Sequence, residues 1–287
     1  MKIFYLACLL TLFTACQPDL TPSWLVIDDF TFTTNVTVEG ENSEEIVDAW
    51  VYLDGKSMGT WEIPLKMPIL EEGEHELQVF AGIKDNGEGD TRVNYEFYTS
   101  YSTTIQLKKE EITAVKPEFK YKSGLSFAGK EDFEDTGNIF GLFSSDDSTK
   151  IVSISKNDYP NIVKYGNNCG MIKLSNIDTS FTIITAQSFL IKQTEVYLEL
   201  DYLSTNSFTI GILDATADGT ESINSPHVGL YATDSNNFEW KHAYFPLTYW
   251  TNVNTLATYY ELYLYGSIDD NNTEGVIYLD NIRIVSY

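Results

Sequence analysis

The stretch Val196-Tyr197-Leu198-Glu199-Leu200-Asp201-Tyr202 constrains the fold more than any other part of the chain. Residues at every second position are apolar or aromatic, the period of a strand with one buried face and not the 3.6-residue period of a helix. On this reading Val196, Leu198, Leu200 and Tyr202 point inward, and Glu199 and Asp201 form the wet face. The same period returns with Phe208, Ile210 and Ile212, then over residues 228–231, 239–247, 259–265 and 276–285, with Gly, Asn and Asp turns between. Many strands of this length predict a β-sandwich or barrel.

The first half of the chain reads the same way. Leu25-Val26-Ile27 opens a strand, and Phe30, Phe32 and Thr34 alternate with Thr31 and Thr33. A strand over residues 49–53 runs into Asp54-Gly55, a hairpin turn because both residues tolerate positive φ. Leu77 and Val79 share one face of a later strand, and Asn86-Gly87 marks another hairpin before Val93, Tyr95 and Phe97. No helix pattern interrupts them. Lys108-Lys109-Glu110-Glu111 and Lys116-Pro117-Glu118 then change the composition, and the proline interrupts any regular element. The expectation is an all-β chain of two β-sandwich domains, residues 24–115 and 116–287, packed against each other because only short polar stretches join them.

Residues 1–15 carry an address. Lys2 precedes an apolar run that ends in Phe13-Thr14-Ala15-Cys16, and Gln17, Pro18 and Asp19 stop it well short of the roughly 20 apolar residues a membrane span needs. The run resembles a bacterial lipoprotein signal, which implies cleavage before Cys16 and lipid on its thiol. The alternative is an ordinary secretory signal cut at or just beyond Ala15. Residues 16–23 then form a short tether, so the first domain sits close to the membrane. Gln17 carries no cue for inner-membrane retention, and the outer membrane is the expected location.

Charge narrows the partners. The chain has 42 acidic residues against 18 basic ones, a formal net charge of −24, and its arginines are Arg92 and Arg283. Nucleic acid is excluded, since phosphate recognition relies on clustered basic charge. Anionic lipid heads are likewise poor partners, leaving an acyl anchor to hold the membrane. Of the three cysteines, Cys8 leaves with the signal, Cys16 takes the lipid and Cys169 has no partner, so no disulfide framework is expected. The cores must supply the cohesion.

Further resemblances carry expectations of their own. Val51-Tyr52-Leu53-Asp54-Gly55-Lys56, then Gly59-Thr60, then Gly73-Glu74-His75 before a strand resembles the PEGA-type, Ig-like β-sandwich, which implies a spacer or interaction module. Glu131-Asp132-Phe133-Glu134 and the closing Ile277-Tyr278-Leu279-Asp280-Asn281-Ile282-Arg283-Ile284 resemble the first and last strands of carbohydrate-binding-module jelly rolls. That likeness implies a structural Ca²⁺ between Glu134 and Asp280, for which hard oxygen ligands and an acidic chain are suited. No other cofactor is expected. Signal and domain order together are similar to lipoproteins of Bacteroidota.

Catalytic patterns are absent. Glu199-Leu200-Asp201 resembles the start of a laminarinase-like Glu-x-Asp-x-x-Glu strand, but Tyr202-Leu203-Ser204 follows and the third carboxylate is missing. His75, His227 and His242 are scattered and read as turn or strand-surface residues, and Cys169 as a small buried one. A non-enzyme is expected. Aromatic exposure supplies the remaining signal. In residues 259–265, alternation puts Tyr260, Leu262 and Leu264 on one face and Tyr259, Glu261, Tyr263 and Tyr265 on the other. That second face suits stacking on sugar rings, docking a protein or meeting the first domain. Tyr249 and Trp250, in the loop Leu247-Thr248-Tyr249-Trp250-Thr251, are a second candidate. The expected function is a non-catalytic outer-membrane lipoprotein that binds a ligand, glycan first, through its second domain. The alternative is an accessory docking subunit of an outer-membrane assembly or secretion complex.

Overall fold

A computed structural model of the chain describes residues 20–86, 91–144, 148–191, 195–216, 221–222, 227–233, 238–253, 257–270 and 272–287. The signal segment, Cys16 and Gly87 lie outside these residues. Among them the chain is all-β apart from two short helices, Val36–Glu39 and Thr248–Val253. The second helix replaces the loop expected around Trp250. Its turn is closed by Thr251, whose N–H donates to the Leu247 carbonyl at 3.0 Å.

In the N-terminal half a three-stranded sheet faces a five-stranded one. Asp54 and Gly55 both take positive φ, 49° and 74°, so Asp48–Leu53 and Lys56–Glu62 join through the two-residue turn the sequence predicts. The Asp54 carboxylate also accepts the Glu76 N–H at 2.8 Å and holds His75 Nδ1 at 2.6 Å. This hydrogen bond raises the His75 pKa and ties the hairpin to the strand Gly73–Lys84. Leu25, Ile27, Val51, Leu77, Val79 and Ile83 are buried between the sheets.

The C-terminal half is a sandwich of two six-stranded sheets. One has Glu274–Ser286 at its centre, between Asn168–Ser175 and Val196–Ser204, and Lys241–Pro246 at an edge. The other is built around Ala257–Ser267, between Ser180–Thr185 and Phe208–Thr216, with the short strand His227–Leu230 beyond. Val196, Leu198, Leu200 and Tyr202 meet Ile210, Ile212, Leu262 and Leu264 in the core, in the phase that alternation predicts.

The last strand breaks that phase once. Ile277 and Leu279 point into the core, and so do Ile282 and Ile284, one position out of register with the first pair. A bulge absorbs the difference: pairing with Val196–Ser204 shifts between Glu199 and Asp201, and Asn281 takes φ 47°. Without it Arg283 would stay in step with Ile277 and Leu279 and enter the apolar core. With it, Arg283 leaves through the opposite face.

That face is covered by the N-terminal half. Tyr244 and Val285 are buried in one cluster with Tyr95, Phe97, Phe119 and Tyr121. Tyr95 packs edge-on against Tyr197 and Tyr244, with ring centroids 5.1 and 4.9 Å apart. Glu118–Lys120 pairs in parallel with Thr31–Thr33, and the Asn86 N–H donates to the Tyr244 carbonyl at 2.9 Å. The two halves share a core.

Candidate functional site

Two polar groupings stand out, one beneath that contact and one on the opposite face of the sandwich. In the first, Glu199 and Asp201 are 0% and 1% exposed, so neither is the wet residue that alternation alone suggests. Glu199 accepts from Arg283 Nε at 2.8 Å, from Tyr121 at 2.5 Å and from the Tyr95 hydroxyl. Arg283 gives its remaining nitrogens to the carbonyls of Glu39 and Ser43, at 2.6 and 3.1 Å. Gly40 makes room: it takes φ 86°, and a Cβ there would stand 2.9 Å from the guanidinium. Asp201 holds His242 Nδ1 at 3.0 Å, Asn281 Nδ2 at 2.8 Å and the Ser43 hydroxyl. Asn281, Glu199 and Asp201 therefore share one enclosed network with Arg283 and His242.

Electrostatics follow from burial and pairing. For Glu199, burial opposes the charge, but Arg283, His242 and Tyr121 outweigh it and hold the carboxyl at about 2. For His242, burial opposes protonation, but Asp201 and Glu199 push the imidazole up to about 9. His242 is thus a buried cation, a correction to the surface residue expected from sequence. Ser43, His242 and Asp201 do not form a nucleophilic triad. Ser43 and Asp201 both meet Nδ1, and Nε2 faces Glu199 at 3.6 Å in place of a hydroxyl. The grouping is an internal scaffold.

The proposed calcium pair sits nearby. Glu134 accepts the N–H groups of Asn167 and Asn168 at 2.6 and 2.8 Å through one oxygen and the Asn167 side chain at 3.0 Å through the other. Asp280 is buried, accepts the Asn281 N–H at 2.8 Å through Oδ1 and leaves Oδ2 without a hydrogen bond. Burial, then the nearby Asp201 charge, raises its pKa well above the ordinary carboxylate range. Among the described residues no group of three or more His, Cys, Asp or Glu is placed to hold a metal ion. Glu134 and Asp280 as arranged do not fit Ca²⁺, which takes roughly six to eight oxygens.

The second grouping lies in solvent. Across the open sheet, one rung runs Ile184, Tyr263, Gly211, His227, and the next runs Thr182, Tyr265, Thr209, Gly229. Thr209 and Gly229 line a hollow beside Tyr265, and a Cβ on Gly229 would meet open space. Phe143, Thr182, Leu213, His227, Tyr263 and Tyr265 enclose about 310 Å³ alongside. The first hollow, of about 480 Å³, shares Thr182 and Tyr265 with this one and extends to Tyr231 and Asp269. The Tyr263 and Tyr265 rings are parallel within 6°, with centroids 5.8 Å apart, and the His227 ring stands 6.3 Å from Tyr265. Burial and then Tyr265 raise the Tyr263 hydroxyl to about 12, which keeps it a neutral donor. The result is a groove floored by small residues and walled by aromatic rings and hydroxyls.

Of the residues singled out from sequence, Tyr263 and Tyr265 line this groove. Tyr259 and Glu261 lie on the same face but outside the lining, and Tyr259 is 45% exposed. Tyr249 and Trp250 stack edge-on at 5.2 Å on their own helix and do not line the groove either. Phe143, Thr182, His227 and Tyr231 went unrecognised. The legible signal for the hollow was the outward Thr209, too small to fill a sheet surface beside two tyrosines.

No protein-family model matches the chain, and no curated protein does. Solved structures similar to it include a carbohydrate-binding module of the β-sandwich superfamily with promiscuous specificity, at 14% identity and TM-score 0.42, over 93% of this chain and 99% of that one. The family 11 module from Clostridium thermocellum, in complex with a β-1,3-1,4-mixed-linked tetrasaccharide, aligns at 13% identity and TM-score 0.38, over 57% and 96%. An enzymatically active tailspike domain of bacteriophage CBA120 aligns at 12% identity and TM-score 0.36, over 60% of this chain and 26% of that one. At such TM-scores these likenesses assign this chain no ligand.

Proposed function

We propose that the C-terminal sandwich binds glycan along the groove of its open sheet, and that the chain does so as a non-catalytic lipoprotein anchored through Cys16 to the outer membrane. The observation that carries the binding role is the parallel Tyr263–Tyr265 pair beside hollows lined by Thr182, Thr209 and Gly229. Sugar rings offer apolar C–H faces to aromatic rings and hydroxyls to neutral donors. The groove supplies both: aromatic walls at Phe143, Tyr263 and Tyr265, and hydroxyls at Ser180, Thr182 and Tyr231. Its shape also favours an internal segment of a chain, because the two hollows run into each other through Thr182 and Tyr265.

Affinity electrophoresis against a panel of soluble polysaccharides tests this. Wild-type protein is retarded by at least one of them. Tyr265→Ala weakens that retention by about thirtyfold, the effect of losing one central aromatic anchor, while its melting temperature is unchanged. Trp250→Ala, away from the groove, binds as wild type does. Absence of retention on every polysaccharide overturns the binding role, and a Cys16→Ser protein that still pellets with membranes overturns the anchor.

A further inference from the structure

The edge strand His227–Leu230 has a hollow on each side. One is the tyrosine groove. The other is a cleft of about 660 Å³ between the two halves of the molecule, bounded by Glu45, Lys84 and Asn86 from the N-terminal half and by Tyr202, His227 and Lys241 among others from the sandwich. His227 and Tyr231 border both spaces. Only one strand's width, ~4.8 Å, separates them.

The cleft differs from the groove in charge. The groove is lined by hydroxyl, aromatic and small residues with Asp269, whose Oδ2 accepts the N–H and hydroxyl of Ser207 at 2.9 and 3.2 Å. The cleft is lined by two ammonium groups, one carboxylate and the His242 imidazole, whose charge is paired with Asp201, while Glu44, Glu239 and Lys164 line the adjoining hollow that shares Lys241. Lys84 Nζ lies 3.4 Å from Glu45 Oε1, and the other Glu45 oxygen accepts the His242 N–H at 3.3 Å. Lys241 makes no ion pair among the described residues. A local excess of positive charge is out of character for a chain with 42 acids and 18 bases. The Tyr202 hydroxyl, raised by burial and then by Glu45 to about 12, adds a neutral donor.

We propose that this cleft is a second subsite that takes an acidic sugar residue, its carboxylate between Lys84 and Lys241, from a glycan whose neutral part lies on the tyrosines. The proposal rests on the groove being a glycan site. Selection works by short-range pairing. The protein's overall negative charge is screened beyond ~8 Å at physiological ionic strength, whereas a carboxylate inside the cleft meets the lysines directly. Glu45 contributes register: it disfavours a second anion and leaves Lys241 as the free partner.

The test compares methyl β-D-glucuronide with methyl β-D-glucoside by NMR titration of the full mature chain at physiological ionic strength. The glucuronide binds about three- to tenfold more tightly, as expected for two partly exposed charge contacts, and it shifts His227 and Tyr231 resonances. High salt erases the preference. Lys84→Gln/Lys241→Gln loses the preference but keeps wild-type retention on the neutral polysaccharide. Tyr265→Ala does the reverse, keeping the glucuronide preference while losing the polysaccharide. Equal binding of the two glycosides, or a preference that survives in the lysine variant, overturns the subsite. Where Lys84→Gln disturbs folding, the exposed Lys241→Gln alone carries the test. Absence of polysaccharide retention by the wild type with the glucuronide preference intact overturns the groove and the link to it, and leaves only the carboxylate-binding cleft standing.

Discussion

The strands Val196–Ser204 and Ala257–Ser267 carry the same two-residue period, and their outward faces meet opposite fates. Tyr197, Glu199 and Asp201 leave the sandwich core only to enter a second one, shared with Tyr95, Tyr121 and Tyr244. Tyr263 and Tyr265 leave it for solvent and wall a groove. Alternation says which side chains turn away from a sheet's interior, but not what medium receives them. The two faces are told apart by their partners. Glu199 and Asp201 have a hydrogen bond or an ion at every oxygen, as burial of charge requires. The tyrosine face has an aromatic pair with empty space beside it.

Substituting one residue on each face is the strongest way to break that contrast. Arg283→Met leaves the buried Glu199 carboxylate without its hydrogen-bonded guanidinium and is expected to cost about 3–5 kcal/mol. The loss shows as a lower urea midpoint with the slope preserved. Tyr265→Ala on the open face is expected to change stability by less than about 1 kcal/mol while removing glycan retention. A loss from Arg283→Met as small as that from Tyr265→Ala would mean that the covered ion pair holds nothing together. Combining Arg283→Met with Glu199→Gln recovers part of the loss, because the stranded charge is gone.

A pH series sharpens the same contrast, with an effect on the order of 3 kcal/mol. The His242 pKa rises from 6.5 to about 9 on folding, so its contribution is full below 6.5 and is lost as pH climbs through about 9. The Glu199 pKa falls from 4.5 to about 2, so its contribution is full above 4.5 and is lost as pH drops toward about 2. Stability owed to the pair is therefore greatest between these limits, at about pH 4.5–6.5. His242→Gln is expected to flatten the alkaline limb of a melting-temperature profile and, because His242 also helps Arg283 hold the Glu199 carboxyl down, to weaken the acid limb to a lesser degree. An alkaline limb of unchanged steepness in that variant would remove His242 from the network.

Much of this was legible in the sequence. The Asp54-Gly55 hairpin follows from two residues that tolerate positive φ, and the inward set Val196, Leu198, Leu200 and Tyr202 from period alone. The covered face was not, because Glu199 on a strand looks the same whether water or Arg283 stands opposite. Its partners come from residues 39–43, 95 and 121, far away in sequence. One local clue existed. Leu279 and Ile282 are three apart in a strand of otherwise regular period, with Asp280-Asn281 between them, and that spacing marks the bulge that turns Arg283 outward. The groove was half legible: Tyr263 and Tyr265 lie on one strand, whereas His227 and Phe143 reach them only through pairing across the sheet and its margins.

Asp280 gives the smallest and most discriminating effect. It belongs to the covered face, yet Oδ2 has no hydrogen bond, and burial beside Asp201 favours the protonated acid. An acid whose pKa rises on folding contributes most at low pH and progressively opposes folding as pH climbs above its ordinary value of 3.8. Asp280→Asn keeps an oxygen for the Asn281 N–H and removes the ionisable proton, so it is expected to stabilise by about 1–2 kcal/mol at neutral pH. The gain shrinks to nothing as pH falls below 3.8, measured as the difference between two melting curves. Added Ca²⁺ is expected to leave both curves where they are. A wild-type curve that rises with Ca²⁺ while the Asp280→Asn curve does not would mean that the unpaired oxygen is a metal ligand after all, and that the covered face closes around an ion.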